Sequence, residues 1–308
     1  MTATLHRRQF PSQKEPKSSL HRSFPIRLST TKECPSARRA SKRRRRGAAA
    51  MAPPTLSPER HHHACIATLV AALLSPIFFL AAESTTLALY NKCDEPVWPG
   101  VQPTAGKPIL ARGGFRLLPN QAYSLRLPDG WSGRVWGRQG CSFDSSGRGS
   151  CATGDCGGSL YCAGAGGKPP ATLAEITLGT SPRGQDFYDV SLVDGYNLGI
   201  SMRPFRGSGR CAAVGCVSDL NAVCPAGLAV RAGPGNRVVA CKSACSAFGS
   251  ARYCCTGSFG GPAQCKPTAY SRLFKAACPR AYSYAYDDPT SVLTCTGASY
   301  LVTFCPHR

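Results

Sequence analysis

Eighteen cysteines in 308 residues are the side chains of this sequence best placed to do chemistry, and they crowd where little can be buried. The stretch "GRGSCATGDCGGSLYC", from Gly147 to Cys162, holds three of them around a lone Asp155. Thiols at such density serve as metal ligands, as nucleophiles or as halves of disulfides, and spacing separates the three. Zinc sites need Cys or His in short, paired sets. Cys151, Cys156 and Cys162, and Cys211 with Cys216, form no repeated C-x2-C pair, and after the HHH at 61 to 63 the sole histidine is His307. No metal and no other cofactor is therefore expected. The missing histidine also argues against a serine or cysteine hydrolase. Disulfides remain, and with them an oxidising compartment.

Export needs a signal. Residues 64 to 82, "ACIATLVAALLSPIFFLAA", are an uncharged apolar run ending in small residues, which reads as the core and cleavage site of a secretory signal. A membrane anchor is the alternative reading of such a length. Pro76, the Ala-Ala end and the lack of a basic flank behind it favour cleavage, with Ala82 as the last residue removed. Residues 51 to 82, opening on Met51 with Arg60 as the positive flank, make a signal of ordinary size. Residues 1 to 50, Arg/Ser-rich and including "SKRRRRG", read as a disordered basic extension or one that is not translated. A nuclear or nucleic-acid role for that run fits poorly with a secretory segment directly behind it, so nucleic acid is not an expected partner.

Removing residues 1 to 82 takes away fifteen Lys/Arg and three acids, so the formal charge falls from +21 to +9. Cys34 and Cys65 go too, and the sixteen cysteines left are an even number, as full pairing requires. A chain of that length can bury a real core, so the bridges reinforce loop-rich parts rather than replace a core.

The elements that must position these residues read as β. From Glu83 to Gly137 alternating apolar residues are broken by Pro-Asn, Pro-Asp-Gly and Ser-Gly turn signals, and strand text returns from Ala171 to Ser201 and in the final "SYLVTFC". Short strands joined by tight turns suggest a sandwich or barrel. Residues 138 to 170 read as a small hairpin region held by bridges. From Cys211 to Cys278 only "LNAVCPAGLAV" and "PTAYSRLFKAAC" have helical character. Asp155, between two cysteines, reads as a turn residue accepting backbone N–H bonds. Adjacent Cys254 and Cys255 lie too close to bridge each other comfortably and must pair in different directions.

The sequence resembles the thaumatin-like proteins, the plant pathogenesis-related group 5 family, in its large sixteen-cysteine, osmotin- and zeamatin-like form. The pattern G-x-[GF]-x-C-x-T-[GA]-D-C with a following [GQ] and Cys is matched by Gly147, Gly149, Cys151, Thr153, Gly154, Asp155, Cys156, Gly158 and Cys162. The likeness runs from about residue 86 to 306 and includes "GCVSDLNAVCPAGLAV", "YCCTGSFGGPAQCKPTAYSRLFKAACPRAYSYAYDDPTS" and the terminal "FCP". It implies a mainly β fold, a flattened sandwich over about 83–138, 171–210 and 279–308, with a small hairpin lobe over about 139–170 and a long Cys-rich lobe over about 211–278. It implies eight bridges: Cys93 with Cys305, Cys141 with Cys151, Cys156 with Cys162, Cys211 with Cys295, Cys216 with Cys278, Cys224 with Cys241, Cys245 with Cys254, and Cys255 with Cys265.

The resemblance also implies a cleft between sandwich and long lobe, lined by one Arg, one Glu and three Asp. These fall on Arg134, Glu175, Asp189, Asp194 and Asp287, with Arg138 and Asp288 as alternates. Asp189 and Asp194 are five apart and would face opposite sides of one regular strand, so both line one cleft only if the strand stops or bulges first. Such carboxylates bind the hydroxyls of a β-1,3-glucan or a basic receptor patch. Alternatively Glu175 with Asp189 or Asp194 works as acid and base of a weak endo-β-1,3-glucanase. Tyr188, Tyr196 and Tyr286 stand nearby as core residues or as platforms for sugar rings.

The function expected is that of a secreted, extracellular, antifungal plant-defence monomer that binds fungal cell-wall β-1,3-glucan and is more binder than enzyme. A basic protein acting by charge on a fungal membrane or receptor is the remaining alternative. Only three residues follow Cys305, which points to the apoplast. Gly199 stands where the family usually has Pro, and Leu118 and Met202 are also atypical.

Overall fold

A computed structural model describes residues 84–181 and 183–307. The proposed signal, the basic extension, Cys34 and Cys65 lie outside them. Two five-stranded sheets form the body. The first runs β10 (Val214–Gly215), β9 (Ile200–Phe205), β14 (Ser299–Phe304), β1 (Thr85–Asn91) and β3 (Ala122–Leu127). Its strands are antiparallel except where β1 lies parallel to β14 in the register Leu87 to Tyr300 through Asn91 to Phe304. The second runs β13 (Leu293–Thr296), β8 (Gln185–Ser191), β7 (Leu173–Thr177), β4 (Ser132–Arg138) and β2 (Trp98–Pro103), antiparallel throughout.

Alternation decides what each face buries. Leu87 and Leu89 of β1, Tyr300, Val302 and Phe304 of β14, and Ile200 and Met202 of β9 meet Val135 of β4, Ala174 and Ile176 of β7, and Tyr188 and Val190 of β8 in one core. The side chains between them on β4, β7 and β8 point outward, and that outer face carries the site. A buried carboxylate, Asp186, closes one edge of the core by accepting from the Tyr300 hydroxyl at 2.8 Å and the Gly179 N–H at 2.9 Å.

All eight bridges connect the cysteines that the resemblance pairs. The small lobe is built on the hairpin β5 (Ser142–Phe143) and β6 (Gly149–Ser150). It covers part of the outer face of the second sheet, where Trp136, Cys156, Cys162, Ala171 and Leu173 form their own buried cluster. Asp155 accepts from the backbone N–H groups of Cys151, Gly157 and Gly158 at 3.1, 3.0 and 2.8 Å, the turn role its position suggests.

In the long lobe the segment 267–278 folds as expected. Helix α3 (Ala269–Ala277), after the short α1 (Ala244–Phe248) and α2 (Ala251–Cys254), starts at a box in which Thr268 and Ser271 cap each other's backbone. The segment 220–230 does not. It makes one 3-10 turn at Leu220–Val223 and then the strand β11 (Ala229–Ala232), paired to β12 (Arg237–Cys241). Pro225 lacks an N–H and holds Cys224 extended, which stops the helix there.

Candidate functional site

Cross-strand register assembles the site. Gln102 of β2 stands opposite Arg134 of β4, Arg134 opposite Glu175 of β7, and Glu175 opposite Asp189 of β8. Directly opposed residues share a face, so these four form one row across the outer side of the sheet. Arg134 Nε lies 3.6 Å from Glu175 Oε1, with both side chains about a fifth exposed. Two carboxylates side by side repel, and the guanidinium next to Glu175 in the row offsets that cost.

Asp194 joins them because β8 ends at Ser191. The Gly195 N–H then donates to the Leu192 carbonyl at 2.9 Å, with Gly195 at φ +93, a turn conformation suited to glycine. The five-residue spacing that would send Asp189 and Asp194 to opposite faces is thus broken by the strand's end. Burial pushes the Asp194 carboxyl above the ordinary carboxylate range, against the pull of the Arg134 guanidinium. The native state therefore keeps this proton to higher pH than the unfolded chain does. Stability falls as pH rises through that window, and at neutral pH the ionised Asp194 is a net cost. Asp194→Asn is expected to raise the melting temperature at neutral pH. The gain should vanish below about pH 3, where carboxyls are neutral in both states; a pH series of thermal melts checks it.

Asp287 is placed differently. Its Oδ2 accepts from Lys275 Nζ at 2.9 Å and from the Ser283 N–H and hydroxyl at 3.0 and 2.8 Å. The alternate Asp288 accepts from the Tyr282 hydroxyl at 2.7 Å. Arg138, the alternate to Arg134, is fully buried beneath the small lobe, so Arg134 is the arginine beside Glu175. Tyr188 and Tyr196 are fully buried in the core and offer no ring face to a ligand. The Tyr286 hydroxyl donates to the Gly260 carbonyl at 2.8 Å.

Asp194 also lines a cavity of about 180 Å³ whose other wall is the long lobe. Arg252, Tyr253, Lys266, Tyr270 and Tyr284 line it, along with Ser283. The Asp287 clamp on Ser283 thus shapes a loop of this wall. These aromatic and basic residues escaped the sequence reading. The helical pattern around Tyr270 was visible, but not which side of α3 faces the sandwich. Among the described residues no cluster of His, Cys, Asp and Glu is arranged to hold a metal, and no helix is long and apolar enough to cross a membrane.

Residues 91–306 match the Thaumatin family. The chain is similar to a thaumatin-like protein of Arabidopsis thaliana, 69% identical over 227 residues that cover 74% of this chain and 92% of that one. It is 57% identical to pathogenesis-related protein 5 of the same plant, covering 74% and 92% of the two chains. It is 55% identical to pathogenesis-related thaumatin-like protein 3.5 of Cryptomeria japonica, covering 73% and 91%.

Proposed function

The chain belongs to the thaumatin family and shares the plant-defence role of its pathogenesis-related relatives; from this premise we propose that it is a secreted antifungal protein that binds fungal cell-wall β-1,3-glucan. The row Arg134, Glu175, Asp189, with Asp194 within reach of the Arg134 charge, carries the reading. It offers fixed acceptors and one fork of donors on a single strip, the pattern that neutral sugar hydroxyls satisfy. Eight disulfides suit the oxidising space outside the cell. Asp287 contributes by holding the loop at Ser283 rather than by offering a free carboxylate.

The test is retention on insoluble β-1,3-glucan. Asp189→Ala combined with Asp194→Ala is expected to lose about tenfold or more in retention, since each removes a charged acceptor. Retention equal to that of the unsubstituted protein would sink the reading.

A glucanase is the second reading, favoured by one feature. Arg134 lies beside Glu175 while burial raises the carboxyl of Asp194, so the two acids stand in different surroundings. Asp194 would then be the acid and Glu175 the base or nucleophile. Release of reducing ends from laminarin that disappears in Glu175→Ala would establish hydrolysis; equal background in both proteins would leave binding alone.

A further inference from the structure

A groove of about 760 Å³ lies elsewhere on the molecule and shares no lining residue with the cleft cavity or with the carboxylate row. Its walls come from the segment before β2, the base of the small lobe, the connection from β8 to β9, the 3-10 turn and the β11–β12 hairpin. Its size is that of an ordinary ligand pocket. Trp98, Asp219, Asn221, Arg237 and His307 are among its lining.

Hydrogen bonds fix which way the polar groups of this groove can work. The Asn221 amide donates to the Asn197 carbonyl at 2.8 Å, which fixes how the amide is turned and engages one of its two N–H groups. Its Oδ1 is buried, and no described residue donates to it. Asp219 Oδ1 accepts from the Tyr196 hydroxyl and from the Asn221 N–H, both at 3.1 Å, which locks that carboxylate next to the amide. A buried acceptor left without a donor is costly, so a partner bringing hydroxyl or N–H groups gains by filling it.

The rest of the groove narrows the ligand. Trp98 is half-buried, with the Arg116 guanidinium 5.5 Å from its ring centre. His307 packs against Gly199, where an added Cβ would fall 2.7 Å from the ring Cε1 and 2.9 Å from Nδ1. The atypical glycine of this chain is therefore what lets the imidazole line this groove. An amide and a carboxylate held side by side, an indole and an imidazole suit a molecule with adjacent hydroxyls and an apolar C–H face. We propose that this groove is a second site, separate from the cleft, that binds a neutral oligosaccharide, with Asn221 and Asp219 accepting from neighbouring hydroxyls and Trp98 packing on a sugar ring.

The three tryptophans make the test direct. Trp131 and Trp136 are fully buried, so ligand-dependent fluorescence reports on Trp98. Laminaritriose, cellotriose and chitotriose are titrated separately into the oxidised protein. At least one is expected to give a saturable change that weakens about tenfold in Asn221→Leu and persists in Glu175→Gln. Amide shifts in the unsubstituted protein apply the same test without a variant: shifts at 95–98, 196–199 and 219–221 support the site. No saturable change with any of the three sugars, or shifts confined to 175, 189 and 194, would overturn it. The second pattern would leave the cleft reading standing.

Discussion

Replacing Arg138 by Met should destabilise the protein, by about 1 to 3 kcal/mol for each buried carbonyl left without a donor, and loosen the small lobe before the rest, because nothing else can take the place of its fork. The side chain is fully buried. Its Nε donates to the Trp98 carbonyl at 3.0 Å, and its two terminal nitrogens donate to the carbonyls of Ser159 and Leu160 at 2.8 Å each. Burial pulls the guanidinium down to about 10, with Asp155 acting the other way, so it remains charged at neutral pH. Three carbonyls in two different segments lose their donor at once when it goes. Lysine should rescue little, since a point charge cannot serve three carbonyls on two sides. Hydrogen exchange of amides 139–170, with urea unfolding of both variants, measures this. Protection in the lobe equal to that of the unsubstituted protein would mean that Trp136 and the bridges suffice to hold it.

Arg138 also marks a limit of sequence reading. Arg134 and Arg138 are four apart on β4, so a period of two puts both on the same outer face. What separates them is the small lobe, which folds over one and leaves the other beside Glu175, and that contact is made by residues some twenty positions later. The strands themselves were legible, because alternation is local. The end of β8 before Asp194 was legible as well, since Asp-Gly announces a turn. The bridges followed from the family's pattern, and Asp155 from its place between cysteines and glycines. Asp287 was harder. Its motif sits where the resemblance puts it, but the partner that occupies it, Lys275, comes from helix α3, twelve residues earlier in the long lobe. Tyr188 and Tyr196 look the same in sequence whether they face sugar or core, and the packing of two sheets decides for core.

Opening the bridge between Cys216 and Cys278 should impair glucan retention more than its energetic cost alone explains. The pair closes a loop of 62 residues, for which chain entropy gives about 4 kcal/mol. The bridge between Cys93 and Cys305, 212 residues apart, comes out at about 5 kcal/mol on the same argument. Stability alone therefore ranks the second double Ser variant as the worse. The proposed glucan site ranks them the other way. Cys278 directly follows α3, whose Tyr270, Ser271 and Phe274 line the cavity facing Asp194, and the Ala277 carbonyl accepts from the Val217 N–H at 2.9 Å beside the bridge. Freed there, α3 can move, and with it Lys275, the donor that holds Asp287 and, through Ser283, the loop at Tyr284. Cys93 and Cys305 instead fasten the ends of β1 and β14, which already pair along five residues in the other sheet. Melting temperature and glucan retention measured on both variants, at a temperature where both are folded, should therefore order them oppositely. If the two measurements order them alike, the wall of the long lobe takes no part in the proposed glucan site.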